Sequence, residues 1–492
     1  MNAIRLATAT AGVLAVALLT VGGASAKPPP PPMNVPCGGQ AALVAAINAA
    51  NSAGGGTLNL AKNCDYALTS VDNSGVNGLP VVTTKITVNG NQSTIDGTGV
   101  VRIFEVDPGG NLSVRDVTLT GGSASFLDGG IPTLIGGAIA NLDGTVMLDH
   151  TRVIGNAAVL AGGGIASLTL DPSSPATLTV RNSWVNDNQQ TLPLSEDPDV
   201  LGGLGGGGIA NVDGTAMLDQ TQVNGNTAQG GSGGGIVTGD YLGEGPGTAL
   251  TVDHSQVNGN NGPLAGGGRI QNLLGSATID HSQVDGNTSL NGGGIASGNQ
   301  GGPGTAELNV RHSEVSGNTA TAGPGGEGPP VAAGGIANGS EAVIDHSKVD
   351  GNSAPNGAGA GIVNHAMMTI SHSEVNRNTA AASGVPGSGG GIFNATGPPG
   401  ATPPDVLNVD HSKIDDNSAG GWGGGIANGL PGNGPGAGGA VTLTHSEVRH
   451  NHAAHGGGIF NRGGTVTLSD TKVTDNLVDN CEPTNSVVGC LN

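Results

Sequence analysis

The chain of 492 residues contains 93 glycines, and aromatic residues make up only 2% and charged residues 11% of it. The glycines follow no strict three-residue period, which excludes collagen, and regularly spaced Val, Ile and Leu argue against disorder. The formal net charge of −21 disfavours nucleic acids and anionic membrane surfaces as partners.

The N-terminal region has the features of an export signal and a linker. Arg5 precedes an apolar run of Ala, Val and Leu, and an Ala-Ser-Ala cleavage site ends at Ala26. We therefore predict a signal peptide at 1–26 and a stiff Pro-rich linker at 27–36. No other stretch approaches the ~20 apolar residues of a membrane span. The mature protein is thus expected to be secreted, with no membrane span.

Four cysteines form two pairs that are close in sequence, Cys37 with Cys64 and Cys481 with Cys490. Exported proteins fold where disulfides form and persist. The spacing therefore predicts one disulfide at each end of the mature chain.

One short unit recurs eleven times between residues 150 and 476, at intervals of 25 to 39 residues. We align the copies on one position, the corner slot, which holds His150, Asn182, Gln220, His254, His281, His312, His346, His372, His411, His445 and Asp470. In every copy the next residue is Ser or Thr, the third after the corner slot is Val or Ile, and the sixth is Asn. A glycine cluster ending in Ile follows most copies, and their lengths vary mainly around it. A constant unit with insertions at one place predicts a solenoid.

The side-chain phase within the unit predicts two strands and a bend. In ALTVDHSQV at 249–257, Leu250 and Val252 share one side of a strand, whereas Ser255 and Val257 have the opposite phase. Because side chains alternate along a strand, the chain must bend after residue 254. Two strands at the bend and a third at the Gly-Gly-Gly-Ile segment make one coil of a parallel β-helix.

The predicted fold is an all-β, right-handed parallel β-helix solenoid. About twelve coils spaced ~4.8 Å apart would form a rod on the order of 55–60 Å long. The predicted segments after the linker are an N-terminal cap with the first strand at 37–80, the β-helix at 81–477 and a C-terminal disulfide loop at 478–492.

One column of outward positions supports this register. Two residues after the corner slot, the last six copies carry charges of alternating sign: Glu314, Lys348, Glu374, Lys413, Glu447 and Lys472. This alternation is expected if each residue lies beside its counterpart in the next coil.

Two elements of the unit resemble the repeats of polymorphic outer-membrane proteins, Phe-x-x-Asn and Gly-Gly-Ala-Ile. Val153 to Asn156 match the first with Val in place of Phe, and GGAIAN at 136–141 matches the second. More broadly, the repeats over roughly 80–477 resemble those of right-handed parallel β-helix proteins of the pectate-lyase-like superfamily. The resemblance implies that fold for this chain. No C-terminal transmembrane barrel follows the last coil, so we expect a bacterial extracellular protein that is secreted or associated with the cell surface.

The segment that starts at Cys37 looks like the entry segment of such exported proteins. The resemblance implies a short helix over Ala41–Ala50, followed by the first strand. A helix at this place would cover the open strand edge of the first coil, which otherwise invites aggregation.

Asp-His-Ser occurs four times in the chain and contains the residue types of a serine-hydrolase triad. Adjacent strand residues point to opposite sides, whereas a triad needs Ser and His side chains that converge. We therefore predict a structural ladder at the corner slot: His254, His281, His312, His346, His372, His411 and His445. Metal ions bridging neighbouring imidazoles are the alternative. No metal site is predicted, because no carboxylate or Cys is expected to join the column.

The position five residues after the corner slot is glycine in most copies, but not in the last four. The last four coils carry Arg377, Asp416, His450 and Asp475 there, and Asp415 and Arg449 adjoin it in sequence. Asp416, His450 and Asp475 are candidate catalytic acid/base groups, and Arg377, Asp415 and Arg449 are candidate ligands for a cation or an acidic sugar. The alternative is that exposed terminal coils simply collect polar residues.

Two functions fit these features. The first is a secreted, non-catalytic surface or matrix protein, such as an adhesin or a glycan-binding scaffold. The second is an extracellular polysaccharide lyase or glycoside hydrolase, although the Asn-Thr-Asp and Gly-His-Gly patterns of polygalacturonases are missing. The expected partner is a cell-surface or extracellular polysaccharide. No cofactor is predicted; calcium is the alternative, although the glycine clusters depart from the Gly-Gly-x-Gly-x-Asp pattern of calcium-binding repeats.

Overall fold

The computed structural model describes residues 30–72, 75–125, 130–191, 204–240, 247–262, 270–290, 292–298, 306–321, 332–381, 387–394, 405–429 and 438–492. The predicted signal peptide lies outside the described residues. Within them, short parallel strands stack coil upon coil, and each coil has four sides that we number in chain order.

Side 1 carries the strand that leads into the corner slot. Each strand pairs in parallel with its equivalent in the next coil, as Leu250 pairs with Ala277 and Ala277 with Leu308. Fourteen such strands stack among the described residues: Gly55–Leu60, Lys85–Asp96, Asn111–Thr120, Thr145–Asp149, Thr177–Arg181, Thr215–Asp219, Ala249–Asp253, Ser276–Asp280, Glu307–Arg311, Glu341–Asp345, Met367–Ser371, Val406–Asp410, Ala440–Thr444 and Thr465–Ser469.

Side 2 follows the bend at the corner slot. The long strands Lys85–Asp96 and Asn111–Thr120 run through both sides. The register in which they pair shifts at the bend, between Asn89 and Ser93. The separate side 2 strands are Asp65–Ala67, Arg152–Ile154, Trp184–Asn186, Gln256–Asn258, Gln283–Asp285, Glu314–Ser316, Lys348–Asp350, Glu374–Asn376, Lys413–Asp415, Glu447–Arg449 and Lys472–Thr474.

Side 3 is a two-residue strand that, from Ala157–Ala158 onwards, directly follows the repeated Asn. These strands are Ser123–Ala124, Ala157–Ala158, Gln189–Gln190, Thr227–Ala228, Asn261–Gly262, Thr288–Ser289, Thr319–Ala320, Thr379–Ala380 and Ser418–Ala419. The sequence predicted three strands in a coil and missed this one, because two residues are too few to show a period.

Side 4 is the strand that begins at the Ile of the glycine cluster, with Phe104 and Cys481 in the place of that Ile in the first and last strands. Its members are Phe104–Val106, Ile139–Leu142, Ile165–Leu168, Ile209–Val212, Ile236–Gly239, Ile270–Asn272, Ile295–Ser297, Ile336–Asn338, Ile362–Asn364, Ile392–Asn394, Ile426–Asn428, Ile459–Asn461 and Cys481–Glu482. A short 3-10 helix, Ile131–Thr133, lies ahead of the second of these strands.

The core runs through the stack as columns of equivalent side chains. Val252, Val257 and Ile295, which represent sides 1, 2 and 4, are all fully buried. Inward and outward positions alternate along side 1, as the sequence predicted, and each apolar column contacts its neighbours within one continuous cluster. The predicted fold class, an all-β parallel β-helix, is confirmed. The predicted count of about twelve coils falls short of the fourteen strands on side 1.

The N-terminal end of the stack is covered by a helix and an added strand. Helix α1 spans Gln40–Ala53, longer than the predicted Ala41–Ala50, and buries Leu43 and Ile47. Met33–Val35 pairs with the open edge of Gly55–Leu60, so this part of the predicted linker is a strand.

Both predicted disulfides are present, Cys37–Cys64 and Cys481–Cys490. Cys481 also lies in the last strand of side 4, where it pairs with Ile459. The predicted C-terminal loop therefore adds a strand to the stack as well as a disulfide. Among the described residues, no helix has the length and hydrophobicity of a membrane span.

Candidate functional site

The corner slot is a bend in the left-handed backbone region. Its histidines have φ between 44° and 49°, and Asn182 and Gln220 adopt the same conformation at 47° and 49°. His, Asn and Asp tolerate positive φ better than most residues. The bend reverses the side-chain phase, so the Asp before the corner and the His at the corner both point outward, while the Ser or Thr after the corner is the first residue of the inward column on side 2.

The seven predicted ladder histidines stack along the outside of the rod. Consecutive imidazole rings have centroids 4.6 to 5.4 Å apart and interplanar angles of 1° to 26°. Their side chains are about half exposed. The histidines thus form a continuous ribbon on the surface, which we call the imidazole ribbon.

A carboxylate faces each ring of the imidazole ribbon, contrary to the sequence-based expectation. His254 Nδ1 lies 2.9 Å from Asp253, and His411 Nδ1 lies 2.9 Å from Asp410. The hydrogen bond from His411 holds the pKa of the Asp410 carboxyl below its ordinary value. The expectation failed because the bend turns the imidazole back over the preceding side chain, which a straight strand would place on the opposite side.

The serine of Asp-His-Ser is part of a separate, inward ladder. Ser255 is 3% exposed, its hydroxyl donates to the carbonyl of Asp253 at 2.6 Å, and its N–H donates to Ser282 Oγ at 3.0 Å. The serine lies inside the coil and the histidine outside it. This arrangement excludes a hydrolase triad within the motif, as the alternation predicted.

The asparagine six residues after the corner slot forms the densest hydrogen-bond ladder. Asn287 Nδ2 donates to Val257 O and to Asn318 Oδ1, both at 2.9 Å. Its own Oδ1 accepts from the backbone N–H and the Nδ2 of Asn260 at 2.9 and 3.0 Å. The same pattern joins Asn156, Asn188, Asn226, Asn260, Asn287, Asn318, Asn352, Asn378, Asn417, Asn451 and Asn476.

A second amide ladder on side 4 was missed from the sequence. Asn338 Nδ2 donates to Asn364 Oδ1 at 2.8 Å, and Asn364 donates to Asn394 at 2.9 Å. In earlier coils Ser or Thr takes alternate places, as where Asn211 Nδ2 donates to Thr238 Oγ1 at 3.0 Å. The sequence marks this column by an Asn, Ser or Thr two residues after the Ile that begins side 4. These residue types share only the ability to form hydrogen bonds, so the column does not show as one repeated residue.

The predicted polar column occupies the second left-handed position of the coil. Arg377, Asp416, His450 and Asp475 have φ of 53°, 56°, 52° and 58°, where most other coils have glycine. The register places Arg377 beside Asp416, and His450 beside Asp475, in neighbouring coils. The predicted stacking of these positions is therefore present.

Asp415 is the centre of the contacts in this column. Its carboxylate lies 3.2 Å from Arg449 Nε and 3.0 Å from His450 Nδ1. One donor atom from each of Asp415, Asp416 and His450 lies within 4.8 Å of the other two. Arg377 instead pairs with Asp350 of the preceding coil, and this hydrogen bond raises the pKa of its guanidinium. Asp475 is exposed at the edge of the group. The structure thus gathers Asp415, Asp416, Arg449 and His450, while Arg377 has a separate partner.

A cleft on side 2 near the N-terminal end was not identified from the sequence. It has a volume of about 390 Å³, and His150, Arg152 and Trp184 contribute to its lining. The Arg152 guanidinium lies 5.0 Å from the centre of the Trp184 ring, within the range of a cation–π contact. This cleft combines an aromatic surface with hydrogen-bonding groups, which is typical of small-ligand sites.

Comparisons with known proteins give only distant likenesses. No family model matches the chain, and no curated protein matches it. Among solved structures, the periplasmic alginate epimerase AlgG is 9% identical, with 85% of this chain and 76% of that chain covered and a TM-score of 0.34. The mannuronan C-5 epimerase AlgE4 A-module of Azotobacter vinelandii is 14% identical, with 88% and 95% covered and a TM-score of 0.34.

PfbA, a surface adhesin of Streptococcus pneumoniae, is 10% identical, with 88% of this chain and 87% of that chain covered and a TM-score of 0.32. These structures are of the pectate-lyase-like, right-handed β-helix type that the repeats predicted. At these identities and TM-scores the likenesses carry no argument about this chain. The strand register of the chain itself makes it a parallel β-helix protein.

Proposed function

We propose that this protein is an extracellular, non-catalytic β-helix rod that acts as a surface or matrix protein and binds polysaccharide. The observation that carries the proposal is the periodicity of its polar groups. Ser, Asn and His recur at fixed places in successive coils and bond mainly to their own counterparts or neighbours. A catalytic group is needed once, whereas a ladder needs its residue in each coil. Two disulfides agree with an oxidising, extracellular location.

The second candidate function is a polysaccharide lyase or hydrolase that uses the polar column. The contact between Asp415 and His450 favours it, because a carboxylate that orients an exposed imidazole is a common arrangement of a general acid or base. Asp416 lies beside this pair and would supply a second carboxylate. Against it, Arg449 already balances the charge of Asp415, which is consistent with a stabilising ion-pair cluster.

The cleft at Trp184 is the proposed contact for polysaccharide. An indole ring offers a flat apolar surface, and the stacked Arg152 holds that ring in place while presenting donors to hydroxyl or carboxylate groups. Trp422 provides a matched comparison, since it lies on the other end of the rod and contacts His455 and Phe460 instead.

The binding test compares wild type with Trp184→Ala and Trp422→Ala on polygalacturonate, alginate and a neutral glucan, by affinity electrophoresis. We expect wild type to bind one of them, and Trp184→Ala to bind it at least about tenfold more weakly, equal to about 1.4 kcal/mol. The Trp422→Ala variant should bind like wild type. Equal affinities of the wild type and Trp184→Ala, or no binding to any of the three, would contradict the polysaccharide interface.

The catalytic alternative is tested on the same polysaccharides by following new reducing ends and the absorbance of unsaturated products. We expect no turnover by wild type. Turnover that disappears in an Asp416→Ala/His450→Ala variant with an unchanged circular dichroism spectrum would reject the non-catalytic assignment.

A further inference from the structure

The carboxylates of the imidazole ribbon are shared between coils in a regular way. Asp280 Oδ1 lies 3.0 Å from His281 Nδ1 of its own coil and 3.1 Å from His312 Nδ1 of the next. The next coil has Arg311 in the equivalent place and offers no carboxylate of its own. One carboxylate therefore serves two imidazoles.

The same unit recurs twice further along the ribbon. Asp345 lies 3.0 Å from His346 Nδ1 and 3.6 Å from His372 Nδ1. Asp410 lies 2.9 and 3.8 Å from the Nδ1 atoms of His411 and His445. In both cases the second coil lacks an aspartate, because Ser371 and Thr444 precede its histidine. Three separate units of one aspartate and two histidines thus follow one another, one unit for each two coils. A further set, Asp253/His254/His281, shares His281 with the first unit, so the two cannot both be filled.

The geometry of each unit suits a transition metal ion. In each unit the three donor atoms lie within 4.8 Å of one another. Two ligands of a tetrahedral zinc ion, each about 2.0–2.1 Å from the metal, are about 3.3 Å apart, close to the N–O distances of the first unit. Neutral imidazole favours zinc, copper and nickel over calcium or magnesium, which prefer all-oxygen sites.

Binding requires little rearrangement of the side chains. In the metal-free ribbon the imidazole donates its Nδ1 proton to the carboxylate. On zinc binding Nδ1 releases that proton to solvent and Nε2, on the solvent side, takes one up, so the Nδ1 lone pair is free to bind the ion. The rings are exposed enough to admit an ion and to leave coordination positions for water. The corner bend fixes the ring direction in advance, so the entropy lost on binding is small.

We propose that the imidazole ribbon binds divalent transition metal ions, one in each Asp-His-His unit, in the sets Asp280/His281/His312, Asp345/His346/His372 and Asp410/His411/His445. The ribbon is then a linear array of three ions along one edge of the rod. This site is distinct from the Trp184 cleft and from the Asp415 group, and it does not depend on the proposed function.

The test is zinc binding to the disulfide-bonded protein at pH 7.5, measured by equilibrium dialysis against wild type and a His281→Asn/His346→Asn/His411→Asn variant. Asparagine is the chosen replacement because Asn182 occupies the same slot with the same backbone conformation. We expect the variant to bind three zinc ions fewer than wild type. The Asp415 group is intact in both proteins, so it does not affect this difference.

His150→Asn is the matched control. His150 contacts Asp149, but its neighbour in the next coil is Asn182, so no second imidazole completes a unit. This variant should keep the zinc content of wild type. Equal zinc contents of wild type and the triple variant, or no zinc bound by wild type, would overturn the proposal.

A single Asp345→Asn variant provides an independent measurement that leaves the histidines in place. It should bind one zinc ion fewer than wild type. Lowering the pH from 7.5 to 5 should release the ribbon ions from wild type, because protonated imidazole is no longer a ligand. An unchanged zinc content in Asp345→Asn, or retention of all ions at pH 5, would contradict the proposed ligands.

Discussion

Replacing Asn287 by Ala is expected to destabilise the protein by about 3–5 kcal/mol, the typical cost of leaving several buried polar groups without partners. The side chain of Asn287 makes four hydrogen bonds, to Val257 O, to Asn318 Oδ1, and from the N–H and Nδ2 of Asn260. All four partners are buried with it, so water cannot replace the amide. The effect is measured as the midpoint of unfolding in guanidinium chloride.

Gln283→Ala is the control for this substitution. Gln283 belongs to the same coil as Asn287, four residues earlier, but points outward and is exposed. Its replacement should change the stability by no more than about 0.5 kcal/mol. If both variants unfold at the wild-type midpoint, the asparagine ladder does not stabilise the coils as described.

Replacing Gly293 by Ala is expected to cost about 3 kcal/mol, because the added methyl group overpacks the backbone of the neighbouring coil. A Cβ at this position would lie 2.3 Å from Gly334 O and 2.7 Å from the carbonyl carbon of Thr319. Both contacts are with backbone atoms, so no side-chain movement relieves them. The glycine cluster thus allows the coils to approach closely where side 4 begins.

Gly286 is the control that distinguishes the cost of close backbone contact from the cost of a positive φ. Gly286 has φ of 62° but nothing lies within 4 Å of its Cβ position. Asp187, Asp416 and Asp475 occupy the equivalent place in other coils with φ of 56° to 58°. Gly286→Asp should therefore change the free energy of unfolding by less than about 1 kcal/mol. A Gly293→Ala variant as stable as Gly286→Asp would contradict the close-approach explanation.

The repeated positions were predictable from the sequence because each side chain meets its own equivalent in the next coil. The charge column is an example: Glu314 pairs with Lys348, and Lys348 with Glu374, as the alternating signs predicted. The stacking of the histidines and the inward direction of the serines followed from the same argument. A single unit of sequence therefore specifies most of the rod and the positions within the polar column.

The contacts that were missed depend on backbone detail or lie outside the repeat. The aspartates of the imidazole ribbon reach the rings only because the corner residue is left-handed. Near the N-terminal end, Arg102 is fully buried and paired with Glu105, and this burial lowers its pKa to about 10. That coil has no copy of the unit, so no periodicity marks the pair. The Trp184 cleft lies within the repeat, but Arg152 and Trp184 are residue types found in single coils at a position where other coils carry different side chains, so periodicity does not mark it.

The central claim, that each repeat is one coil of a stacked rod, is tested most directly by electron–electron distances between spin labels. Cysteines introduced at the outward positions Gln256, Glu374 and Lys472 can be labelled selectively, because the native cysteines are paired in disulfides. The register places Glu374 four coils and Lys472 seven coils beyond Gln256. At ~4.8 Å for each coil, the account predicts distances of about 19 Å and about 34 Å from Gln256. Distances that do not increase in proportion to the number of coils would contradict it.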